Sequence, residues 1–238
     1  HLTTRRQRQM CIRDSLMTAG SEDELRVLRA EYDRDGFVVV RSFLGDAEVS
    51  ELRCRALPLA ERMTSQDHSA GKYKNVMKSL HHYDSYLDAQ LKSGKHVQFL
   101  EQLLGGEVEG LSVAWFGRPE GDPQGIGPHI DALGRDGDSK GGVTIWFALD
   151  PVNIKNGCLR YLPGSHRQEY ANVMPIPNID QESTDVIAAE LEPGDAVVHS
   201  ARTVHWSGAN LSDQPRDAVS FFYSSPCQSA VRQVSGFH

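Results

Sequence analysis

Three residues in the second half of the chain have the types and spacing of a mononuclear iron site. His129 and Asp131 are separated by one residue, and His205 follows much later. Two imidazoles and one carboxylate on one face of Fe(II) leave positions open for other ligands. Residues i and i+2 of a strand point to the same side, so a His-x-Asp segment supplies two ligands and a distant strand must supply the third. The pattern predicts a metal site formed by His129, Asp131 and His205.

The His-x-Asp pattern is short, and it occurs a second time in this chain. His82-Tyr83-Asp84 has the same form, as expected by chance for so short a motif. Context separates the two, because His82 lies in a polar stretch without a strand pattern, whereas His129 follows an apolar run and a Gly/Pro-rich approach. We therefore expect His129, and not His82, to bind metal. A purely structural role is the alternative for each histidine taken alone.

The third ligand has two candidates, His199 and His205. His205 is favoured because Arg216 follows it by eleven residues, just before the last apolar run. A keto acid such as 2-oxoglutarate that chelates the metal needs a cation at its far carboxylate, and arginine offers a rigid pair of donors for it. Arg216 is thus predicted to bind 2-oxoglutarate, and a surface salt bridge is the alternative.

The elements that must position these residues are strands, and the chain after Val108 has a strand pattern. Short apolar runs are separated by turn residues and span residues 111–116, 143–149, 158–162, 186–191, 195–199 and 217–223. Such short, regularly spaced runs favour an antiparallel β-sandwich or barrel over alternating strands and helices. Asn156-Gly157, between two of the runs, predicts a hairpin.

The first half of the chain is predicted to be mostly helical. Capping signals and apolar periodicity indicate helices over residues 21–33, 46–58 and 97–104. Pro58 is expected to end or kink the second helix because it lacks an N–H group. Phe37–Val40 is predicted to be a short strand. Residues 65–92 are polar and have no clear assignment.

The composition indicates a protein that works in water on small molecules. The net charge is −7 among 238 residues, which argues against nucleic acid and anionic membranes as partners. No apolar run approaches the roughly 18 residues of a membrane span. The four cysteines show no CxxC spacing, so neither a disulfide framework nor a thiolate metal site is indicated. A reducing, cytoplasmic setting is expected.

The ordered motifs of residues 24–224 resemble the phytanoyl-CoA dioxygenase family of Fe(II)- and 2-oxoglutarate-dependent oxygenases. The resemblance is carried by YDRDGFVVVRSFL, the HID pair, WFALDPVNIKNGCLRYLPGSHR and LEPGDAVVHSARTVHWSGANLSDQPRDAVSFFY. It implies a mainly β fold with flanking helices around a double-stranded β-helix (jelly-roll, cupin-like) core. It also assigns His129, Asp131 and His205 to iron and Arg216 to 2-oxoglutarate.

Two further positions are expected in the co-substrate pocket. Ser207 matches a polar position after the distal histidine of the family, and Thr144 lies on the strand after the iron pair. A core position is the alternative for Thr144. The family reaction uses Fe(II), 2-oxoglutarate and O₂, releases succinate and CO₂, and would hydroxylate a C–H bond of a small molecule. The rival is a jelly-roll metal protein without oxygenase activity, either a non-redox enzyme or a metabolite-binding module, which would not need Arg216.

The chain is expected to form one domain after a short leader. Residues 1–15 are basic, lack the apolar stretch of a secretory signal and resemble translated adapter sequence, so they are predicted to be non-native or disordered. Residues 16–238 would be a single oxygenase domain, with a helical part at 21–106 and the jelly-roll core at 107–224. The segments 65–92 and 168–183 are expected to cover the mouth of the barrel, where loops often carry specificity.

Overall fold

The structure, a computed structural model, describes residues 22–65, 75–131 and 141–224. The predicted leader at residues 1–15 lies outside these ranges. The described helices are α1 (Glu22–Asp35), α2 (Asp46–Ser65), α3 (Ser85–Ser93) and α4 (Lys95–Leu104). The described strands are β1 (Phe37–Val40), β2 (Val76–Met77), β3 (Glu109–Arg118), β4 (Ile126–His129), β5 (Gly142–Ala148), β6 (Leu159–Tyr161), β7 (Ile187–Ala189), β8 (Ala196–Ser200), β9 (His205–Ser207) and β10 (Arg216–Ser224).

The strands form two antiparallel sheets. The major sheet has the order β1-β8-β5-β10-β3-β2, and the minor sheet has the order β4-β9-β6-β7. Side chains from both sheets share one apolar cluster, and the ring of Phe37 from the major sheet stacks on that of Tyr161 from the minor sheet, with 4.2 Å between centroids. The predicted antiparallel sandwich with a jelly-roll core is confirmed.

The helices cover the outer face of the major sheet. Along β5, Val143, Ile145 and Phe147 join the cluster that contains the buried helical leucines. The residues between them, Thr144 and Trp146, point to the opposite side, as the period of two in a strand requires. This second side faces the interior between the two sheets, which is where the strands present polar residues to a cavity.

The second helix corrects the expectation for Pro58. Helix α2 does not stop there and continues to Ser65, with the proline inside it. The turn after the proline is buried against the core, since Leu59 and Ala60 are 8% and 0% exposed. Packing of this turn compensates for the hydrogen bond that proline cannot donate.

The hairpin expected at Asn156-Gly157 is also wrong. The strands on either side, β5 and β6, belong to different sheets, so the segment is a crossing between layers. The turn itself is real, because Gly157 has φ +83° and the Asn156 amide donates to the carbonyl of Pro151 at 2.7 Å. A local turn signal identifies the turn but does not identify which strands pair.

The polar segment without a clear assignment contains the start of a helix near its end. Helix α3 occupies residues 85–93 and buries Leu87 and Leu91. Its N-cap is Asp84, whose carboxylate accepts a hydrogen bond from the Leu87 N–H at 3.0 Å. The second His-x-Asp motif is therefore accounted for by a helix cap. Within the described ranges, no helix is both long and apolar enough to cross a membrane.

Candidate active site

The structure brings His129, Asp131 and His205 together between the sheets. His129 ends β4 and lies directly opposite His205, the first residue of β9. One ligand atom from each of the three residues lies within 4.8 Å of the others. The Nε2 atom of His129 is 3.7 Å from Oδ1 of Asp131, and the Nε2 atom of His205 is 3.9 Å from Oδ2. The set has the composition and spacing for one metal ion.

Both histidines are held so that Nε2 stays available. The Nδ1 atom of His129 is 2.8 Å from the Gly127 carbonyl, and that of His205 is 2.9 Å from the Thr203 carbonyl. A carbonyl oxygen only accepts, so Nδ1 carries the proton in each ring. Nε2 then presents a lone pair, which is the arrangement found for metal-binding histidines.

The protonation states also fit a metal site. Burial lowers the pKa of His129 to about 4, and the neighbouring His205 contributes to the shift. Burial likewise lowers the pKa of His205 to about 4, with a further contribution from His199. Burial alone would raise the pKa of Asp131, but the surrounding histidines hold it well below its usual range. At neutral pH the site therefore offers two neutral imidazoles and one carboxylate, the forms that bind a divalent metal.

His199, the other candidate for the third ligand, has both ring nitrogens engaged. Its Nε2 is 3.2 Å from Oδ2 of Asp131, and its Nδ1 is 3.0 Å from the hydroxyl of Tyr161. His205 has a free Nε2, whereas His199 does not. The choice of His205 stays a prediction, and the geometry is consistent with it.

A cavity of about 410 Å³ opens beside the three residues. Thr144, Ser207 and Arg216 all line it. The hydroxyl of Thr144 donates to Oδ2 of Asp131 at 3.2 Å, and the hydroxyl of Ser207 accepts a hydrogen bond from Arg118 at 3.0 Å. The predicted positions thus share one pocket, while the contact of Thr144 and Ser207 with a co-substrate stays a prediction.

Arg216 is buried in this cavity without a carboxylate bound to it among the described residues. It is 2% exposed, its Nη2 donates to the Gly157 carbonyl at 2.9 Å, and its Nε has no hydrogen-bond partner in the described part of the chain. Its guanidinium lies 5.5 Å from the centroid of the Trp146 ring. Burial, and then the charge of Arg118, lower its pKa to about 9. Arg216 is therefore a cation at neutral pH, and it is not the surface salt bridge of the alternative interpretation.

Sequence reasoning missed Arg118. Its Cα pairs with that of Arg216 across β3 and β10, it is 4% exposed, and it lines the same cavity. An arginine before a proline at the end of an apolar run carries no signal of its own. Only the strand register, which places it beside Arg216, reveals that two guanidinium groups meet in one pocket.

Part of the cavity lining comes from the two segments that were expected to cover the barrel mouth. Val76 and Lys78 come from the first segment, and Asn172, Val173 and Met174 come from the second. Val173 and Met174 are 49% and 39% exposed. Residues of both segments therefore line the cavity, and the expectation that the segments cover the barrel mouth stays a prediction.

Comparison with known proteins finds relatives among the phytanoyl-CoA dioxygenases. A phytanoyl-CoA dioxygenase 1 from Oryza sativa subsp. japonica is 25% identical, over 79% of this chain and 85% of the relative. A phytanoyl-CoA dioxygenase domain-containing protein 1 homolog from Caenorhabditis briggsae is 23% identical, over 80% of this chain and 88% of the relative. In structure, the chain resembles the epimerase SnoN, solved with Fe³⁺, α-ketoglutarate and nogalamycin RO, with a TM-score of 0.72, 24% identity and coverage of 86% and 85%.

The model of one protein family matches most of the chain. The sequence model of the phytanoyl-CoA dioxygenase (PhyH) family matches residues 32–218, which is more than half of the chain. The matched range includes every residue discussed above as a candidate for the metal or the co-substrate. The chain therefore belongs to the phytanoyl-CoA dioxygenase family, whose members are iron(II)- and 2-oxoglutarate-dependent oxygenases that use O₂.

Proposed function

We propose that this chain uses Fe(II), 2-oxoglutarate and O₂ to hydroxylate a C–H bond of a small molecule. The observation that carries the proposal is that one cavity contains both three residues that could hold a metal ion and a buried arginine with no carboxylate partner among the residues that the structure describes. Either feature alone would also fit a protein that carries out no oxidation. Together they match a co-substrate that chelates a metal at one end and carries a carboxylate at the other.

His129, Asp131 and His205 would hold the iron. When bound, the metal and its keto acid supply the oxidising chemistry, in which O₂ is consumed and 2-oxoglutarate becomes succinate and CO₂. The chain's own part is to present two Nε2 lone pairs and a carboxylate on one face, which leaves the opposite face for the co-substrates. The hydrogen bonds from Nδ1 to the Gly127 and Thr203 carbonyls fix the two rings before the metal arrives.

Arg216 would bind the C5 carboxylate of 2-oxoglutarate. Its Nε is a buried donor without an acceptor among the described residues. Burying such a donor lowers the free energy of unfolding by about 1–3 kcal/mol, and a bound carboxylate would remove this cost by accepting the hydrogen bond. Arg118 adds a second positive charge at the same end of the cavity. Ser207 and Thr144 line the path between the arginines and the metal set and would contact the co-substrate there.

The rest of the cavity would receive the substrate. Ile130, Val173, Met174 and Trp206 give this wall an apolar character, which restricts water around the reacting C–H bond. The net charge of −7 supports a small molecule rather than nucleic acid as the partner. Cys54 and Cys158 are free thiols, which supports a reducing, cytoplasmic setting.

The rival is a metal-binding jelly roll without oxygenase activity. It needs the metal set but gives no reason for a buried Arg216 that has no carboxylate partner in the described part of the chain. A second alternative keeps the metal and the co-substrate but catalyses a different reaction: SnoN, solved with Fe³⁺ and α-ketoglutarate, is an epimerase. The two outcomes differ in the product, because hydroxylation adds one oxygen atom from O₂ and epimerisation leaves the mass unchanged.

The test is the affinity for 2-oxoglutarate of Arg216 variants. Arg216→Ala removes a buried, charge-assisted contact, so we expect 2-oxoglutarate to bind about 30-fold more weakly or worse. Arg216→Lys should recover only part of this loss, because the ammonium group of lysine cannot form the two parallel hydrogen bonds that a guanidinium forms with a carboxylate. The measurement is calorimetric titration into the anaerobic Mn(II)-loaded protein, with Arg26→Ala, at an exposed arginine, as the matched control.

Two controls make the result specific. Metal affinity should be almost unchanged in Arg216→Ala, and pyruvate, which lacks the far carboxylate, should bind wild type and variant alike. Equal affinity of both proteins for 2-oxoglutarate would contradict the co-substrate role of Arg216 and leave the metal-binding rival as the better description.

A further inference from the structure

A buried chain of hydrogen bonds runs from Tyr161 through His199 to Asp131. The Tyr161 hydroxyl is 3.0 Å from Nδ1 of His199, whose Nε2 is 3.2 Å from Oδ2 of Asp131. We propose that Tyr161 and His199 are positioning residues that hold the Asp131 carboxylate in the orientation in which it binds the metal. The inference rests on the proposed function, because it assigns Asp131 to the iron.

The chemistry of the partners fixes the direction of both bonds. An ionised carboxylate only accepts, so Nε2 of His199 carries the proton and donates to Asp131. In the neutral form of His199, which has one N–H group, Nδ1 is then an acceptor and the Tyr161 hydroxyl donates to it. The tyrosine thus selects the histidine tautomer that can bond to Asp131. Removing the tyrosine hydroxyl would free the ring to adopt the other tautomer.

Asp131 is the one proposed ligand that the sheet itself does not hold. The pairing of β4 with β9 ends at His129, and the Asp131 side chain is 32% exposed. The two histidines bond to nearby backbone carbonyls, but the oxygens of Asp131 are held by side chains. Thr144 donates to the same Oδ2 at 3.2 Å, so two donors converge on one oxygen.

The two donors are well placed to act together. Thr144 and His199 are direct partners in the register of β5 and β8, so both side chains leave the same face of the major sheet. Tyr161 comes from the minor sheet, is 0% exposed and is stacked on Phe37. The bonds therefore connect both layers of the sandwich to Asp131. The bond between Tyr161 and His199 is buried, and burial strengthens a hydrogen bond.

Two other buried side chains show that burial alone does not produce such an arrangement. Nε2 of His96 and the hydroxyl of Tyr223 are buried and have no hydrogen-bond partner among the described residues. Both lie in the apolar core on the helical side of the major sheet. They provide matched controls, since they test the loss of a buried histidine and of a buried tyrosine hydroxyl away from the metal set.

The experiment measures metal affinity rather than turnover. Mn(II) is titrated calorimetrically into the anaerobic, metal-free protein for wild type, His199→Leu, His199→Gln and Tyr161→Phe. We expect a 10- to 100-fold loss for His199→Leu, the usual effect of removing a group that orients a ligand. His199→Gln should recover part of this loss because its amide places a donor near the position of Nε2. Tyr161→Phe should weaken binding about threefold to tenfold, the effect of one hydrogen bond.

The controls separate positioning from general damage. His96→Leu and Tyr223→Phe should bind Mn(II) as wild type does, and thermal melts of the metal-free proteins identify any variant that is not folded. If His199→Leu is unfolded, His199→Gln and Tyr161→Phe decide the question. Folded His199 and Tyr161 variants with wild-type metal affinity would overturn this inference. A wild-type protein that binds no metal would instead overturn the proposed function.

Discussion

At the scale of single residues, the two proposed histidine ligands share one local arrangement. Each bonds through Nδ1 to the carbonyl of the residue two positions before it, Gly127 for His129 and Thr203 for His205. Because the bond is formed within the same short segment, ring orientation is set as soon as the strand forms. Metal binding then requires little reorganisation of these rings, in contrast to Asp131, whose orientation depends on distant side chains.

This arrangement predicts which histidines the metal requires. His205→Ala removes a ligand and should abolish the weak visible charge-transfer band of the anaerobic Fe(II)–2-oxoglutarate complex. His82→Ala should keep the band, since Asp84 of the second His-x-Asp motif caps a helix. Absorption spectra of the two variants decide the matter, and a band that survives in His205→Ala would assign the third ligand elsewhere.

A second prediction concerns His96, which is remote from the metal set. Burial lowers its pKa to about 4. Between this value and the unfolded value of 6.5, the unfolded chain binds a proton that the folded chain does not, so stability falls as the pH drops from 6.5 towards 4. The loss attributable to this residue is on the order of 3 kcal/mol at the lower end.

The measurement is chemical unfolding of wild type and His96→Leu at about pH 7 and about pH 4.5, which span most of this interval. The variant should lose less stability than wild type between the two conditions, because leucine does not titrate. Other buried histidines contribute to both proteins and cancel in the comparison. Equal losses in the two proteins would show that His96 does not contribute to the acid sensitivity.

At the scale of elements, the long strands were predictable and the short ones that carry the ligands were not. β5 and β10 are mostly apolar, and their bounds agree with the sequence pattern within two residues. β4 is too short and too rich in glycine and proline to show a period, and β9 has three residues. These strands are defined by their pairing with each other, which is a tertiary property that sequence periodicity does not record.

The turn that leads into β8 yields a prediction at the same scale. Gly194 has φ +89°, and a Cβ atom there would lie 2.4 Å from the backbone oxygen of Leu44. Gly121 has φ +65° with nothing within 4 Å of such an atom. Gly121→Ala should therefore lower the free energy of unfolding by only about 1 kcal/mol, which is the cost of placing alanine in a left-handed backbone conformation. Gly194→Ala should lower it by about 3 kcal/mol or more, because the methyl group also meets the backbone of Leu44.

Thermal melts of the two variants check this difference. The expected decrease in Tm is about 2–4 °C per kcal/mol for a chain of this size. Similar Tm values for both variants would show that the backbone near Leu44 moves to accept the methyl group. Because β8 carries His199, Gly194→Ala should also weaken metal binding.

At the scale of the whole molecule, the two faces of the major sheet have different roles, since one packs in the core and the other lines the cavity. The outer face of the major sheet is covered by helices and forms the largest core cluster, and the inner face lines the cavity. The sequence pointed to His129, Asp131, His205 and Arg216 as candidates, because these residue types suit a metal and a keto acid and the ordered set of motifs around them is specific. It did not identify Arg118 or the bonds from Tyr161 to Asp131, because these depend on which strands lie side by side.

The position of β4 at the edge of the minor sheet has a consequence for the protein's lifetime. Among the described strands, β4 pairs only with β9, through an irregular register, and His129 and His205 form one of its paired positions. A metal ion bound by both histidines would cross-link the edge strand to its neighbour. A free metal concentration of about 100 times the Kd adds about 2.7 kcal/mol to the free energy of unfolding. We expect Mn(II) to slow amide hydrogen exchange in β4 far more than in β10, and to slow proteolysis there. In a cell, chains made while iron is scarce would be degraded first, so the abundance of the enzyme would follow the supply of its metal.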